Sequence, residues 1–369
     1  MSANPGSWAR ARPTSAPVKP AGLTAEFLKN PLLFMRLHSM SPPSDSGNSW
    51  AGEFGTLAPG GTSVVPASNF DATTNEGVFG ATVERRTGAG GIRHVQMIKH
   101  PDANFPQAVG LKIAPATGFR QDGSWLPVYW LPWASLRILS YSIPAVPQSL
   151  AEWDDEEFPR FFFTAGINGC SVFAQGSPHG PTVSHAGLNA KLSRSAGEFW
   201  RMQMAKTKSG YSSEAITGEI NTHDYMFKGG LAKKLAEDYL QFLDGGGNDF
   251  QLEIQSPFGC VFGIRYGRAW TLYLQKSVVF NKVRFYKRSG LTEHVASAHR
   301  TDYFAKDTGL LARQETKQVG RRLGPVPLPG KKQVQVYSTS HRYSMPLQVE
   351  EMFPNRKVVG DLQDVFKTG

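Results

Sequence analysis

The sequence is poor in cysteine: Cys170 and Cys260 are the only two in 369 residues. A cysteine-built metal cluster and a disulfide framework are thereby excluded, and at most one bridge can form. Long apolar runs are also missing, none nearing the roughly 18 consecutive apolar residues of a membrane helix. The N-terminus has no continuous apolar segment of the secretory type, so a soluble product is expected, with any export by another route. Acidic residues are in deficit, 30 Asp plus Glu against 40 Lys plus Arg, for a net charge of +10. That balance permits an acidic partner without identifying one. What the chain has in excess is 38 Gly and 25 Pro, too many for a helical bundle. With 40% hydrophobic residues, they indicate β structure with many turns around a sizeable core.

Residues 1–25 carry three basic residues (Arg10, Arg12, Lys19), no acid, and many Ala, Ser and Pro. Such a segment buries too little apolar surface to offset chain entropy, and a disordered leader is drawn over residues 1–50. Residues 51–124 read as a Gly/Pro-rich loop region packing on the core, with Phe34, Phe54, Phe70 and Phe79 able to dock onto the folded body and a turn at Gly88, Gly90 and Gly91. A Cys-His domain is placed at 125–310 and a basic, Pro-containing region at 311–369. Within the domain, the aromatic run from Trp125 to Ile143 is broken by Pro127 and Pro132, which suggests edge or covering strands. An acidic patch from Glu152 to Glu157 reads as a solvated face, and Phe158 to Thr164 as a buried strand. Ser171–Gln175 and Thr182–His185 form a hairpin about the turn Gly176–Pro181. Ser195 with Glu198 is a capping box for a helix through Trp200 and Met204. Asp224 caps a second helix with the apolar stripe Leu231, Leu235, Tyr239 and Phe242. Four strands, Phe250–Gln255, Cys260–Tyr266, Ala269–Lys276 and Val278–Lys287, make an antiparallel meander. The class is therefore α+β. Residues 277–369 hold 16 Lys plus Arg against 8 Asp plus Glu, so most of the net charge is C-terminal.

The chemistry is concentrated in Thr164-Ala165-Gly166-Ile167-Asn168-Gly169-Cys170-Ser171, with His185 fifteen positions after the cysteine. A thiol with a free pKa of about 8.5 is a weak nucleophile at neutral pH, and a neighbouring imidazole both withdraws its proton and stabilises the thiolate. Adjacent strands of a hairpin can bring the two groups together. Gly166 and Gly169 allow a tight loop in which main-chain N–H groups of Asn168, Gly169 and Ser171 converge on a developing oxyanion. On the residues alone, a cysteine on an apolar strand also reads as a small core residue, and that reading stays open. Cys260 has no histidine a hairpin away and reads as structural. The other histidines lack the pairing of a metal site, and neither a metal nor an organic cofactor is expected.

Gly169-Cys170 after a small-residue loop, His185 a hairpin later, and Thr164 six positions before the cysteine resemble the glutamine deamidases of the cytotoxic necrotizing factor type. That superfamily also includes the chemoreceptor glutamine deamidases and a Burkholderia lethal factor. The resemblance spans Thr164 to His185, with Ile167-Asn168 where necrotizing factors carry Leu-Ser. It implies a central β-sandwich flanked by helices and long loops. It implies that Cys170 attacks the carboxamide of a protein glutamine, that His185 moves the proton, and that Thr164 orients the imidazole. It implies a secreted toxin or translocated effector whose partner is a host protein, such as a small GTPase or a translation factor. Two rival readings stand beside it: a noncatalytic binding module with a basic C-terminal face, and a cysteine protease or transglutaminase using the same pair. A nucleic-acid partner is not expected, because the basic residues are dispersed. A contact with an anionic membrane is left open.

Overall fold

The computed structural model describes residues 22–43, 62–66, 82–86, 88–101, 105, 107–114, 124–134, 137–148, 158–187, 200–201, 204, 206–207, 210–211, 216–225, 250–287, 299–305, 311–313, 332–355 and 357–361. Its strands are rich in β-branched and aromatic residues, which fit a pleated, half-buried surface. In chain order the elements are α1 (Gly22–Lys29), α2 (Pro31–Leu37), β1 (Thr62–Pro66), β2 (Thr82–Arg86), β3 (Gly91–Lys99), β4 (Val109–Ile113), β5 (Leu126–Leu131) and β6 (Arg137–Ser142). There follow β7 (Phe161–Thr164), β8 (Ser171–Gln175), β9 (Thr182–Gly187), β10 (Lys206–Thr207), β11 (Gly210–Tyr211), β12 (Ile216–Ile220) and the single turn α3 (Thr222–Tyr225). The last are β13 (Phe250–Tyr266), β14 (Ala269–Lys287), β15 (His299–Ala305), β16 (Leu311–Arg313), β17 (Lys332–Phe353) and β18 (Lys357–Asp361).

Two mixed sheets account for most of these strands. The larger has the order β16-β15-β17-β14-β13-β7-β5-β3-β4, with β18 added to β17. The smaller has the order β1-β2-β6-β9-β8-β12. One apolar cluster draws on both, joining Leu139, Val172 and Val183 to Trp130, Phe163 and Phe262. The chain crosses between sheets from β5 to β6 and again from β7 to β8, and these crossings set Thr164 and Cys170 close to the shared core. The protein is thus β-rich with few helices, within the α+β class.

Several sequence expectations are corrected. The leader drawn over 1–50 contains folded chain, because α1 and α2 bury Phe27, Phe34 and Met35 in the core. Asn30 caps α2 by accepting the Leu33 N–H at 3.1 Å, and Pro31 opens the helix. The buried Gln275 amide then fastens the following segment to β14. Its Oε1 accepts the Met40 N–H at 2.7 Å, while Nε2 donates to the carbonyls of His38, at 2.8 Å, and of Met35. The loop region 51–124 supplies four strands, two in each sheet.

The segment containing Pro127 is not an edge. β5 lies between β3 and β7, and pairing with β7 starts only at Val128, so the missing proline N–H costs no ladder bond on that side. The four-strand meander is one long hairpin of β13 and β14, with a register shift near Ile254 where the sequence suggested a break. β17 inserts between β15 and β14, so the described strands of the C-terminal region drawn at 311–369 belong to the larger sheet. The hairpin of β8 and β9 has the expected place and turn. Trp200, Arg201 and Met204 are helical within the expected helix at 195–204. The acidic patch and the stripe Leu231 to Phe242 lie outside the described residues. Among the described residues no helix is long and apolar enough to cross a membrane.

Candidate functional site

β7 ends in Thr164, which is fully buried beside β5 and pairs in parallel register with Leu131. Its hydroxyl donates to the Leu131 carbonyl at 2.9 Å and lies 2.7 Å from Nδ1 of His185. A hydroxyl carries one proton, and here that proton is committed to Leu131. The Thr164 oxygen must therefore accept from His185, which places the imidazole proton on Nδ1. Nε2 is left as a bare lone pair, buried and without a hydrogen-bond partner. Burial also pulls His185 down to about 3 from its ordinary value of 6.5, so the ring is neutral across the physiological range.

β8 and β9 pair with Val172 opposite His185 and Ser171 opposite Ala186. Strand alternation then puts Val172, His185 and Gly187 on one face, and Val172, Val183 and Cys170, the residue just before β8, join the apolar cluster. Cys170 comes two residues before Val172, the cross-strand partner of His185, so continuing the ladder by one residue would make the two diagonal neighbours. Such positions lie about 7–8 Å apart, with Cβ atoms closer, a gap that a thiol and an imidazole can span between them. In this conformation the thiol does not donate to Nε2. Both residues are under cover, Cys170 at 4% exposure and His185 at 0%.

The loop before the cysteine is held by a residue that sequence reasoning missed. Gly169 donates its N–H to the Tyr225 hydroxyl at 2.9 Å, and that hydroxyl donates to the Cys170 carbonyl at 2.6 Å. One phenol thus ties the Gly169 N–H to the Cys170 carbonyl. Burial, reinforced by Cys170, pushes the Tyr225 phenol well above its usual range, so it keeps the proton it donates. The turn α3 that carries Tyr225 is set by Asp224, whose carboxylate accepts the Asn221 N–H at 2.8 Å. Asp224 thus lies within the turn as its third residue and not ahead of it as a cap. The positive φ of Gly169, +98°, is a conformation that favours glycine, as the tight loop requires.

Tyr225→Phe is expected to destabilise the protein by about 1–3 kcal/mol, since Gly169 N–H and the Cys170 carbonyl lose a buried partner. Urea unfolding reads this directly, and a midpoint equal to wild type would contradict the clamp.

The structure brings Thr164 and His185 into contact and sets Cys170 just before β8, the strand that pairs with β9. It does not leave all three oxyanion candidates open. The Gly169 N–H is spent on Tyr225; Asn168 is exposed and Ser171 opens β8. Cys260 is fully buried in β13 opposite Gln275, and burial pushes its thiol up. Neither cysteine is in a disulfide. Comparison with protein-family models and with curated protein sequences finds no match to the chain.

Proposed function

We propose that the chain is a protein-glutamine deamidase, with Cys170 as nucleophile, His185 as the base and then the acid, and Thr164 as the group that fixes the imidazole. The observation that carries this reading is the Thr164–His185 hydrogen bond, because it leaves an unpaired Nε2 lone pair on the cross-strand partner of Val172, two residues after Cys170. A buried acceptor left without a partner calls for an explanation, and a proton-transfer role supplies one.

In the reaction, the Cys170 sulfur bonds to the carboxamide carbon as its proton moves to Nε2, and the carbonyl electron pair shifts to oxygen. Collapse of that adduct breaks the C–N bond, and ammonia leaves with the proton from Nε2. Water, deprotonated by Nε2, then adds to the thioester, the S–C bond breaks, and glutamate is released as the thiol regains its proton. An amine in place of water would give transglutamination. Because His185 is held neutral, the proton moves during attack and no thiolate–imidazolium pair stands ready beforehand. An incoming side chain must also displace the cover over Cys170.

The resemblance extends the proposal to a toxin or translocated effector acting on a host protein, and the acid-poor segment 1–25 supports export. The same reading takes the two sheets as the faces of a β-sandwich, supported by the cluster they share. One observation favours the noncatalytic binding module instead, namely the complete burial of His185.

Peptide mass spectrometry of candidate host proteins, a small GTPase and a translation factor first, separates these readings. Conversion of one glutamine to glutamate is expected. Cleavage would mean a protease, amine attachment a transglutaminase, and no covalent change would favour the binding module.

A further inference from the structure

We infer that Trp133 supplies the oxyanion donor of this site through its indole N–H, an inference that rests on the deamidase reading above. With the Gly169 N–H spent on Tyr225, the tetrahedral adduct on Cys170 has one main-chain donor fewer, and a side-chain donor can take that place. Trp133 lies in the crossover between β5 and β6, is 7% exposed, and carries a buried Nε1–H with no hydrogen-bond partner.

Gly187 fixes where that N–H sits. A Cβ on Gly187 would lie 1.9 Å from Trp133 Nε1 and 2.4 Å from the Ala134 carbonyl oxygen, so the edge of the indole occupies the space a side chain would fill. Gly187 is two residues beyond His185 on the same face of β9. Continued by one pair, the β8–β9 register places Gly187 opposite Cys170. Paired Cα atoms in an antiparallel ladder are about 4.5–5.5 Å apart, so that continuation would bring the indole N–H across the strand from the sulfur.

His185 Nε2 and Trp133 Nε1–H, both buried and without partners, are complementary, the first an acceptor and the second a donor. A reacting carbonyl needs both, a base for the thiol proton and a donor for the oxygen that becomes negative. An N–H unpaired beforehand gains its hydrogen bond only as the adduct forms, and such binding lowers the barrier instead of stabilising the ground state.

The test uses butanal, the aldehyde counterpart of the glutamine side chain, and iodoacetamide. The Cys170 sulfur adds to the aldehyde carbon as its proton moves to His185 Nε2, the oxygen takes the electron pair and then that proton, and the resulting hemithioacetal protects the sulfur from alkylation. Alkylation alone forms no oxyanion and serves as the fold control. Wild type is expected to be protected, and Trp133→Phe to need at least about 10-fold more butanal. Because Phe leaves a gap beside Gly187, the measurement is repeated with the Trp133 indole replaced by benzothiophene, which keeps the bicyclic shape without the N–H. A weakening shared by both variants supports the assignment. Equal protection in wild type and both variants, or weakening in the Phe variant alone, overturns Trp133 and leaves the nucleophile standing. No protection of wild type overturns the Cys170 reading and this inference with it.

Discussion

Cys170→Ser is expected to lower the rate of glutamine deamidation by at least about 10³-fold, with the unfolding transition at neutral pH still cooperative. Serine keeps nearly the shape of cysteine, but its hydroxyl is a far weaker acid than a thiol. The base facing it is weak as well, since burial holds His185 at about 3. A neutral imidazole in a water-poor site can assist removal of a thiol proton during attack and is poorly matched to an alkoxide. His185→Gln should cost a similar factor for the complementary reason: an amide can still donate to Thr164 and cannot take a proton. Since sulfur and imidazole act as one unit, the double variant should lose little more than the worse single variant. Retention of deamidation by Cys170→Ser would remove the nucleophile from the account.

The second large effect is on the fold. The buried His185 is neutral when folded, at about 3, and ordinary when unfolded, near 6.5. Its contribution is therefore fully present above pH 6.5 and is lost as the pH falls toward 3, because the unfolded chain takes up a proton that the folded chain refuses. The loss runs at about 1.4 kcal/mol per pH unit and totals on the order of 5 kcal/mol. Urea unfolding at pH 7, 5 and 4 should show a steeper decline for wild type than for His185→Gln, which lacks the titrating ring. Parallel declines would mean that the imidazole is solvated or charged.

The candidate site was legible in the sequence where its signals are local. The turn Gly176–Pro181 between two apolar runs gave the hairpin, and the hairpin gave the relation of Cys170 to His185. Thr164 entered only through the family resemblance, yet it makes the hydrogen bond that fixes the tautomer. Tyr225 and Trp133 carried no local signal. The phenol reaches the Gly169–Cys170 backbone from 55 residues away, and the indole reaches Gly187 from the far side of a sheet crossover. Distance along the chain hides such partners, because a tyrosine after a short turn and a tryptophan after a proline look like ordinary core residues.

The fold was less legible where composition stood in for pattern. The acid-poor stretch 1–25 was carried on to residue 50, although Phe27, Phe34 and Met35 already form an apolar face that α1 and α2 bury. Pro257 suggested a break in what is one long strand. β7 pairs only with Phe262 to Ile264 of β13, so among the described residues no β7 ladder runs beside Pro257 to need its N–H. Local punctuation marks strand ends well when every strand is flanked on both sides, and poorly when a long strand has a part-open edge.

Nitrogen-15 NMR of His185 in the full chain tests the central claim most directly, because the imidazole nitrogens report which one carries the proton. A protonated Nδ1 and a bare Nε2 at pH 7, unchanged down to pH 5, is the predicted result. A proton on Nε2 would contradict the account, since His185 would then have no lone pair to offer Cys170, and a ring that titrates near 6.5 would contradict the burial that holds it neutral.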